Sequence, residues 1–244
     1  MDDERDLAWA GMYNVRDLGG LPTAQGGTTR FGAIVRSEGL DRLQPAGWAA
    51  LGAHGVRTCI DLRSGFEVKE RPYQAGVPGI VVVSAPWEEG LLDDPEFRDW
   101  AESGVLGTAL YFAPFLERWP ARTADMVRAV ATAGPGGVLY HCQRGRDRTG
   151  LLTMLLLSLV GVPDELIVAD HLRTDDRLVA QGIGLGHVSL DGEAELFAAR
   201  GTTAEATLHA LLSGLNVATY LLEAGLTARE LDGIRTRLVA DTGP

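Results

Sequence analysis

The chain has 244 residues, a formal net charge of −11, and 45% hydrophobic against 23% charged side chains. These proportions belong to a globular protein with room for one large core. They exclude nucleic-acid or acidic-membrane binding driven by the field of the whole molecule, and two cysteines exclude a disulfide framework.

Met1 to Asp6 is acidic and lacks the apolar centre of a Sec-type leader. Residues 11–40 carry turn signals, Gly19-Gly20 and Gly26-Gly27, around short extended segments such as Ala33 to Val35. Asp41 to Leu51 reads as a helix with Leu43, Trp48 and Leu51 on one face and Pro45 in its first turn. Arg57 to Leu62 reads as a strand with Cys59 as a small core residue. Ile80-Val-Val-Val83, within Gly79 to Ser84, reads as a strand buried on both faces. Pro95 to Trp119 is helix-rich, its aromatic residues core material. Ala121 to Ala133 is an amphipathic helix that stops at Gly134-Pro-Gly-Gly137.

Gly137 to Tyr140 then reads as a short buried strand, and Leu151 to Val160 as an apolar helix too short to span a bilayer. After Pro163 the pattern is helical: Asp164 to Arg177, Glu193 to Ala199, Thr203 to Leu212, Gly214 to Ala224, and Thr227 to Val239 with Thr227 and Glu230 as a capping box. Strands alternating with helices predict an α/β fold with a parallel-type central sheet of about four to five strands, flanked by helices and followed by a C-terminal helical region. One domain over residues 1–244 accounts for the pattern. Ligands of such sheets bind at the carboxyl ends of the strands.

That rule directs attention to the strand–helix junction His141-Cys-Gln-Arg-Gly-Arg-Asp-Arg-Thr-Gly150. A loop between a strand end and a helix start gathers backbone N–H groups that suit an anion. Arginine outnumbers lysine 21 to 1 in this chain, and Arg144, Arg146 and Arg148 all fall in this one loop, against an acidic background. The helix dipole and nearby arginines favour a thiolate at Cys142, and a thiolate facing a phosphate is a nucleophile. Gly145 permits the tight turn, the His141 ring is placed to bond backbone, and the Thr149 hydroxyl is placed to donate to the sulfur.

The string resembles the phosphate-binding loop of cysteine-dependent protein tyrosine phosphatases. More narrowly, the chain is similar to the bacterial tyrosine and dual-specificity phosphatases of the mycobacterial secreted PtpB type. Asn14-Val-Arg-Asp-Leu-Gly-Gly20, Val35 to Leu40, Asp61-Leu-Arg-Ser64 and Ile167 to Arg173 resemble further blocks of that family in the same order. The resemblance implies a phosphocysteine mechanism with no metal and no cofactor. Cys142 is then the nucleophile and Arg148 the bidentate phosphate ligand. Asp147 is the general acid, with Asp61 as rival and Asp93 and Asp94 behind. Gln143, Arg144, Gly145, Arg146 and Thr149 complete the phosphate site, Arg146 standing where the family usually has a lysine linked to a second anion. Asp61 and Arg63 border the site or brace its loop, and Arg16 and Arg36 reach either the rim or the surface. His171 replaces the family's usual aromatic and reads as a partly exposed helix residue.

The family's helical lid corresponds to approximately residues 181–215, opening with the glycine-rich Gly182-Ile-Gly-Leu-Gly186. The substrate implied is a phosphorylated protein; a small phosphorylated molecule, such as a phosphoinositide, nucleotide or metabolite, is the alternative. A catalytically silent phospho-ligand binding module is a third reading, which would not need the nucleophile, and sulfur transfer or arsenate reduction a fourth. No nucleic-acid partner and no integral membrane association are expected. Location is cytoplasmic by default, although family members are exported without a recognisable signal. A reversible Cys59–Cys142 bond protecting the nucleophile is an alternative role for Cys59.

Overall fold

The computed structural model describes residues 4–182 and 190–239. Five short extended segments form one sheet: β1 (Arg16–Asp17), β2 (Ile34–Ser37), β3 (Val56–Asp61), β4 (Val81–Ser84) and β5 (Gly137–His141). Helices follow in chain order: α1 (Pro45–Ala53), α2 (Gly65–Glu70), α3 (Pro95–Glu102), α4 (Phe112–Arg118), α5 (Pro120–Ala131), α6 (Asp147–Leu159), α7 (Asp164–Ala180), α8 (Leu190–Ala198), α9 (Ala204–Gly214), α10 (Val217–Glu223) and α11 (Ala228–Leu238). The expected α/β architecture is present, and the expected capping box of α11 forms between Thr227 and Glu230. Helix α2 was not legible as a helix, although Ser64 and Glu67 form the same capping box at its start.

Strand order is β1-β2-β5-β3-β4. Only β1 pairs antiparallel; the other ladders are parallel. β5 lies at the centre, and its side chains alternate between two cores. Val138 and Tyr140 join the larger core, while Leu139 packs with Val35, Trp48, Leu51 and Cys59 on the α1 side. The register sets Ser37 and Asp61 on either side of His141, so three strand ends finish level where the loop begins. Helix α6 is buried nearly all round from Thr149 to Leu157, as a helix must be when elements pack on every side.

One strand departs from expectation. β4 is the sheet edge, not a doubly covered strand: Val81 is 59% and Val82 44% exposed. An apolar run of four residues reads the same at the edge as at the centre. Cys59 sits opposite Leu139, three residues short of Cys142 and in the opposite core. Three residues span roughly 10 Å of strand, beyond the reach of a disulfide, so the Cys59–Cys142 bond is not formed by this fold. Burial pushes the Cys59 thiol up to about 12, as befits an inert core residue. Among the described residues no helix is long and apolar enough to cross a membrane.

Candidate active site

The loop from Cys142 to Asp147 is held from outside by its carbonyls. Gln143 O accepts from Gly39 N at 3.2 Å, and Arg144 O accepts from Asn14 Nδ2 at 3.0 Å. Gly145 O accepts from Arg36 Nη2 at 2.6 Å and from Asn14 Nδ2 at 3.3 Å. Each trans peptide therefore sends the following N–H the opposite way, into the turn. Among the described residues, the N–H groups of Gln143, Arg144, Gly145, Asp147 and Arg148 donate to nothing. Five free amides on one turn make an anion nest. Gly145 is obligatory here: its φ is +69°, and a Cβ would lie 2.6 Å from the Ser37 backbone.

The groups that hold those carbonyls are themselves a buried ionic cluster. Arg16 and Arg36, both 0% exposed, converge on Asp170 of α7 at 3.2 and 2.7 Å. Arg5 adds a third contact at 3.1 Å. Arg16 also bonds Asn14 Oδ1, and both arginines reach Thr174 Oγ1. Burial alone would raise the Asp170 pKa, but the arginines overcome it and hold that carboxyl far below the ordinary range. Arg16 and Arg36 thus lie neither at the rim nor on the surface. They connect β1, β2 and α7 to the back of the loop.

Cys142 directly follows β5 at 2% exposure, within the larger core and within electrostatic reach of Arg148, Tyr13 and Tyr111. His141 bonds backbone as expected. Its Nδ1 lies 3.1 Å from Cys142 O, and a carbonyl can only accept, so Nδ1 carries the proton. Nε2 then accepts from Tyr73 OH at 2.8 Å. Burial lowers the His141 pKa and keeps the ring neutral. Thr149 departs from expectation. Among the described residues its hydroxyl is buried without a hydrogen-bond partner, so it does not bond the sulfur. Gln143 Oε1 is likewise buried and unpartnered. Arg144 is half-buried and within electrostatic reach of Tyr13.

Arg148, in the first turn of α6, is fixed by a residue the sequence reading missed. Glu67 forks its guanidinium end-on, with Nη1–Oε2 2.5 Å and Nη2–Oε1 2.6 Å. Glu67 Oε2 also accepts from Ser64 N at 2.8 Å, so one carboxylate caps α2 and orients Arg148. Burial opposes its charge, but Arg148 prevails and lowers the Glu67 pKa to about 2. The capping-box pattern Ser64-x-x-Glu67 was the available signal. Glu88, also missed, lies 3.4 Å from Arg148 Nε, and its Oε1 accepts from Tyr111 OH at 3.5 Å.

Asp147 borders the same charges. Its side chain is 19% exposed and lies 3.3 Å from Arg146 Nη1. Burial raises its pKa to about 7, despite Arg146 and Arg148, with Glu88 adding to the rise. Asp61 is the opposite case. Arg63 binds it through Nε at 2.9 Å and Nη2 at 2.8 Å. Burial raises and Arg63 lowers the Asp61 pKa, and the net shift is downward. Both side chains are buried, and Arg63 continues to Arg71 O and over the Tyr73 ring. They brace the His141–Tyr73 pair, and Asp61 has no proton to donate. Asp94 caps α3 through Glu96 N and Phe97 N and pairs with Arg118, while Asp93 sits exposed before it.

Arg146 also departs from its expected role. It is 2% exposed, and its guanidinium bonds Asp175 at 2.6 Å, Glu193 at 2.7 Å and the carbonyl of Gly107. A side chain committed to α7, α8 and a backbone carbonyl is not available to a substrate anion. It ties the loop to the C-terminal helices. Helices α8 and α9, within the segment read as a lid, bury Phe197, Leu208 and Leu212 in the larger core. Of the glycine-rich stretch only Gly182 is described; residues 183–189 lie outside the described residues. His171 is buried at 3%, not partly exposed. It packs edge-on to Phe112 and so close over Gly150 that a Cβ there would meet its ring at 2.6 Å. Among the described residues no group of histidine, cysteine or acidic side chains could hold a metal ion.

Strand ends, an amide-lined turn, a buried cysteine and an oriented arginine come together at the carboxyl edge of the sheet of an α/β protein. The chain belongs to the tyrosine phosphatase family, whose family model matches residues 7–240. It is 32% identical over 195 residues to the triple specificity protein phosphatase PtpB of Mycobacterium tuberculosis, covering 68% of each chain. It is 28% identical over 230 residues to a tyrosine-protein phosphatase of Nostoc commune, covering 84% of this chain and 74% of that one. The crystal structure of TpbA from P. aeruginosa aligns at 16% identity with a TM-score of 0.39, over 91% of this chain and 99% of that one.

Proposed function

We propose that the chain is a metal-independent phosphomonoester hydrolase of the tyrosine and dual-specificity type, working through a phosphocysteine. The observation that carries this reading is the set of unbonded amides of Gln143, Arg144, Gly145, Asp147 and Arg148, next to Cys142 in the chain, with Arg148 already held by Glu67. Phosphate oxygens take the amides and the Nε side of Arg148, the side Glu67 leaves. The Cys142 sulfur attacks phosphorus, the phosphorus–oxygen ester bond breaks, and Asp147 protonates the departing oxygen. Water then attacks phosphorus, gives its proton to the Asp147 carboxylate, and releases phosphate and the free cysteine. Positioning and charge stabilisation supply most of the rate. Main chain and side chains from β5, α2, α6 and the segment before β1 meet at this one site, which supports a single catalytic domain.

Aromatic phosphates suit the partly exposed Tyr13, within electrostatic reach of Cys142, and PtpB's name as a triple specificity protein phosphatase supports acceptance of more than one kind of phosphate ester. A second reading, a phosphatase of small multiply charged molecules, is favoured by Arg42 and Arg144, both close enough to Tyr13 to influence its hydroxyl. The test is an assay with EDTA present against p-nitrophenyl phosphate, phosphopeptides and a panel of phosphorylated metabolites. Preference for phosphotyrosine peptides supports the first reading, and a metabolite at the head of the ranking supports the second. No metal-free turnover on any substrate sinks both.

Asp147 gives a pH prediction. Its acid form is populated below about pH 7 and lost above it. Turnover of phenyl phosphate, a poor leaving group, should therefore fall as pH rises through that value. Asp147→Asn should remove this limb and lower kcat by about 10²-fold or more, with a smaller loss for p-nitrophenyl phosphate. The raised pKa makes the ionised Asp147 unfavourable to folding above pH 7, so the variant should be no less stable there. A retained limb in the variant would assign the proton to another group.

A further inference from the structure

Arg148 has two edges, and two different carboxylates occupy them. The Nη1–Nη2 edge belongs to Glu67, at 2.5 and 2.6 Å, with Ser64 N holding the same carboxylate from behind. The Nε side faces Glu88, at 3.4 Å. A phosphate that takes Arg148 bidentately must use the Nε side, since the other is filled. Glu88 is the weaker-held of the two carboxylates. Among the described residues its side chain makes that one ion pair and accepts from the Tyr111 hydroxyl at 3.5 Å, both longer than the Glu67 bonds.

We propose that Glu88 is a specificity-determining residue of the phosphate site: its carboxylate stands on the Arg148 edge that a phosphate must use, so an oxyanion binds only as Glu88 takes a proton from solvent or turns away. The inference rests on the phosphatase reading above.

Charges around Glu88 agree with this. Arg148 of α6 favours its ionised form and Glu67 of α2 opposes it. The Tyr111 hydroxyl, from the turn before α4, donates to it, and Asp147 of α6 lies within electrostatic reach. Burial is the largest influence and raises the Glu88 pKa, while Glu67 is held ionised near 2. Of the two carboxylates, Glu88 is the one that gives up its charge when a dianion arrives. Affinity for a dianion should then fall as pH rises, with a proton exchanged at residue 88.

Sulfate tests this, because it keeps its double charge across the working range and any proton linkage comes from the protein. Sulfate is titrated into the full chain at about pH 5.5 and about pH 8 while the backbone amides of Gln143 to Arg148 are followed by NMR; Glu88→Gln and Glu88→Ala should bind about tenfold more tightly than wild type at the higher pH. Their affinity should depend less steeply on pH than that of wild type. Asp147, raised to about 7 beside the same arginine, adds a pH dependence of its own, so the slopes are also compared with Asp147→Asn as the parent: adding Glu88→Gln should flatten the slope that remains. Affinities and pH slopes of both Glu88 variants equal to wild type would overturn the role of Glu88 and leave the phosphatase reading standing. No sulfate-dependent shift of the loop amides in wild type would overturn both.

Discussion

Cys142→Ser is expected to abolish turnover of phosphomonoesters, by at least about 10⁴-fold, while leaving the loop able to bind an oxyanion. A serine hydroxyl needs a base to become a nucleophile, and Asp147, the one carboxyl here that moves a proton, must be in its acid form when the ester bond breaks. His141 is adjacent, but its Nδ1–H is given to Cys142 O and its Nε2 to Tyr73 OH, and burial keeps it neutral. Asp61 is bound by Arg63, and Glu67 by Arg148. The amides and Arg148 that would hold the phosphate do not depend on residue 142. Sulfate should therefore compete for the variant's loop as it does for that of wild type. Undiminished turnover in the variant would remove Cys142 from the chemistry.

Asp170→Asn is expected to be the most destabilising single substitution near the site. The side chain is fully buried and meets Arg16, Arg36 and Arg5. Breaking a buried ion pair by removing one partner costs about 3–5 kcal/mol, because the other charges are left buried and unpaired. For a domain of this size that is a fall in Tm of roughly 6–20 °C, read by calorimetry. The cost should reach the chemistry too, because Arg36 Nη2 holds Gly145 O and Arg16 holds Asn14, which holds Arg144 O. A loop freed at two carbonyls no longer fixes its amides, so sulfate affinity should fall as well. The Asp170 pKa in the folded chain is far below its unfolded value near 3.9. Its contribution is therefore complete above that value and fades as the medium becomes more acidic. Wild type should lose stability in that acid range more steeply than the variant. A variant with an unchanged Tm would show that the cluster is not what holds the loop.

These two residues mark where the sequence was legible and where it was not. The strand, turn and helix around Cys142 could be read because each rests on local pattern: a short apolar run, Gly145 at a positive φ, then a long apolar helix. The braces could not. Arg16 and Arg36 meet Asp170 across sequence separations of 154 and 134 residues, and an arginine considered alone is expected at the surface. Glu67 caps α2 locally, and its fork on Arg148 spans 81 residues. Three arginines two positions apart in one loop look equivalent in sequence. The backbone turn at Gly145 separates them, sending Arg146 into a buried acidic cluster and Arg148 toward Cys142. His171 was misread because its burial depends on the missing side chain of Gly150 and on Phe112, neither of them a neighbour in sequence. The edge position of β4 follows from strand order, which no local run encodes.

The most direct measurement is to catch the covalent state. Enzyme mixed with p-nitrophenyl phosphate and quenched in acid within the first turnover should yield, on digestion and mass spectrometry, a peptide carrying one phosphoryl group on Cys142. Asp147→Asn should accumulate more of it, since water then lacks the carboxylate that accepts its proton. Rapid turnover with residue 142 unmodified at every quench time, or with the phosphoryl group on another residue, would contradict the account.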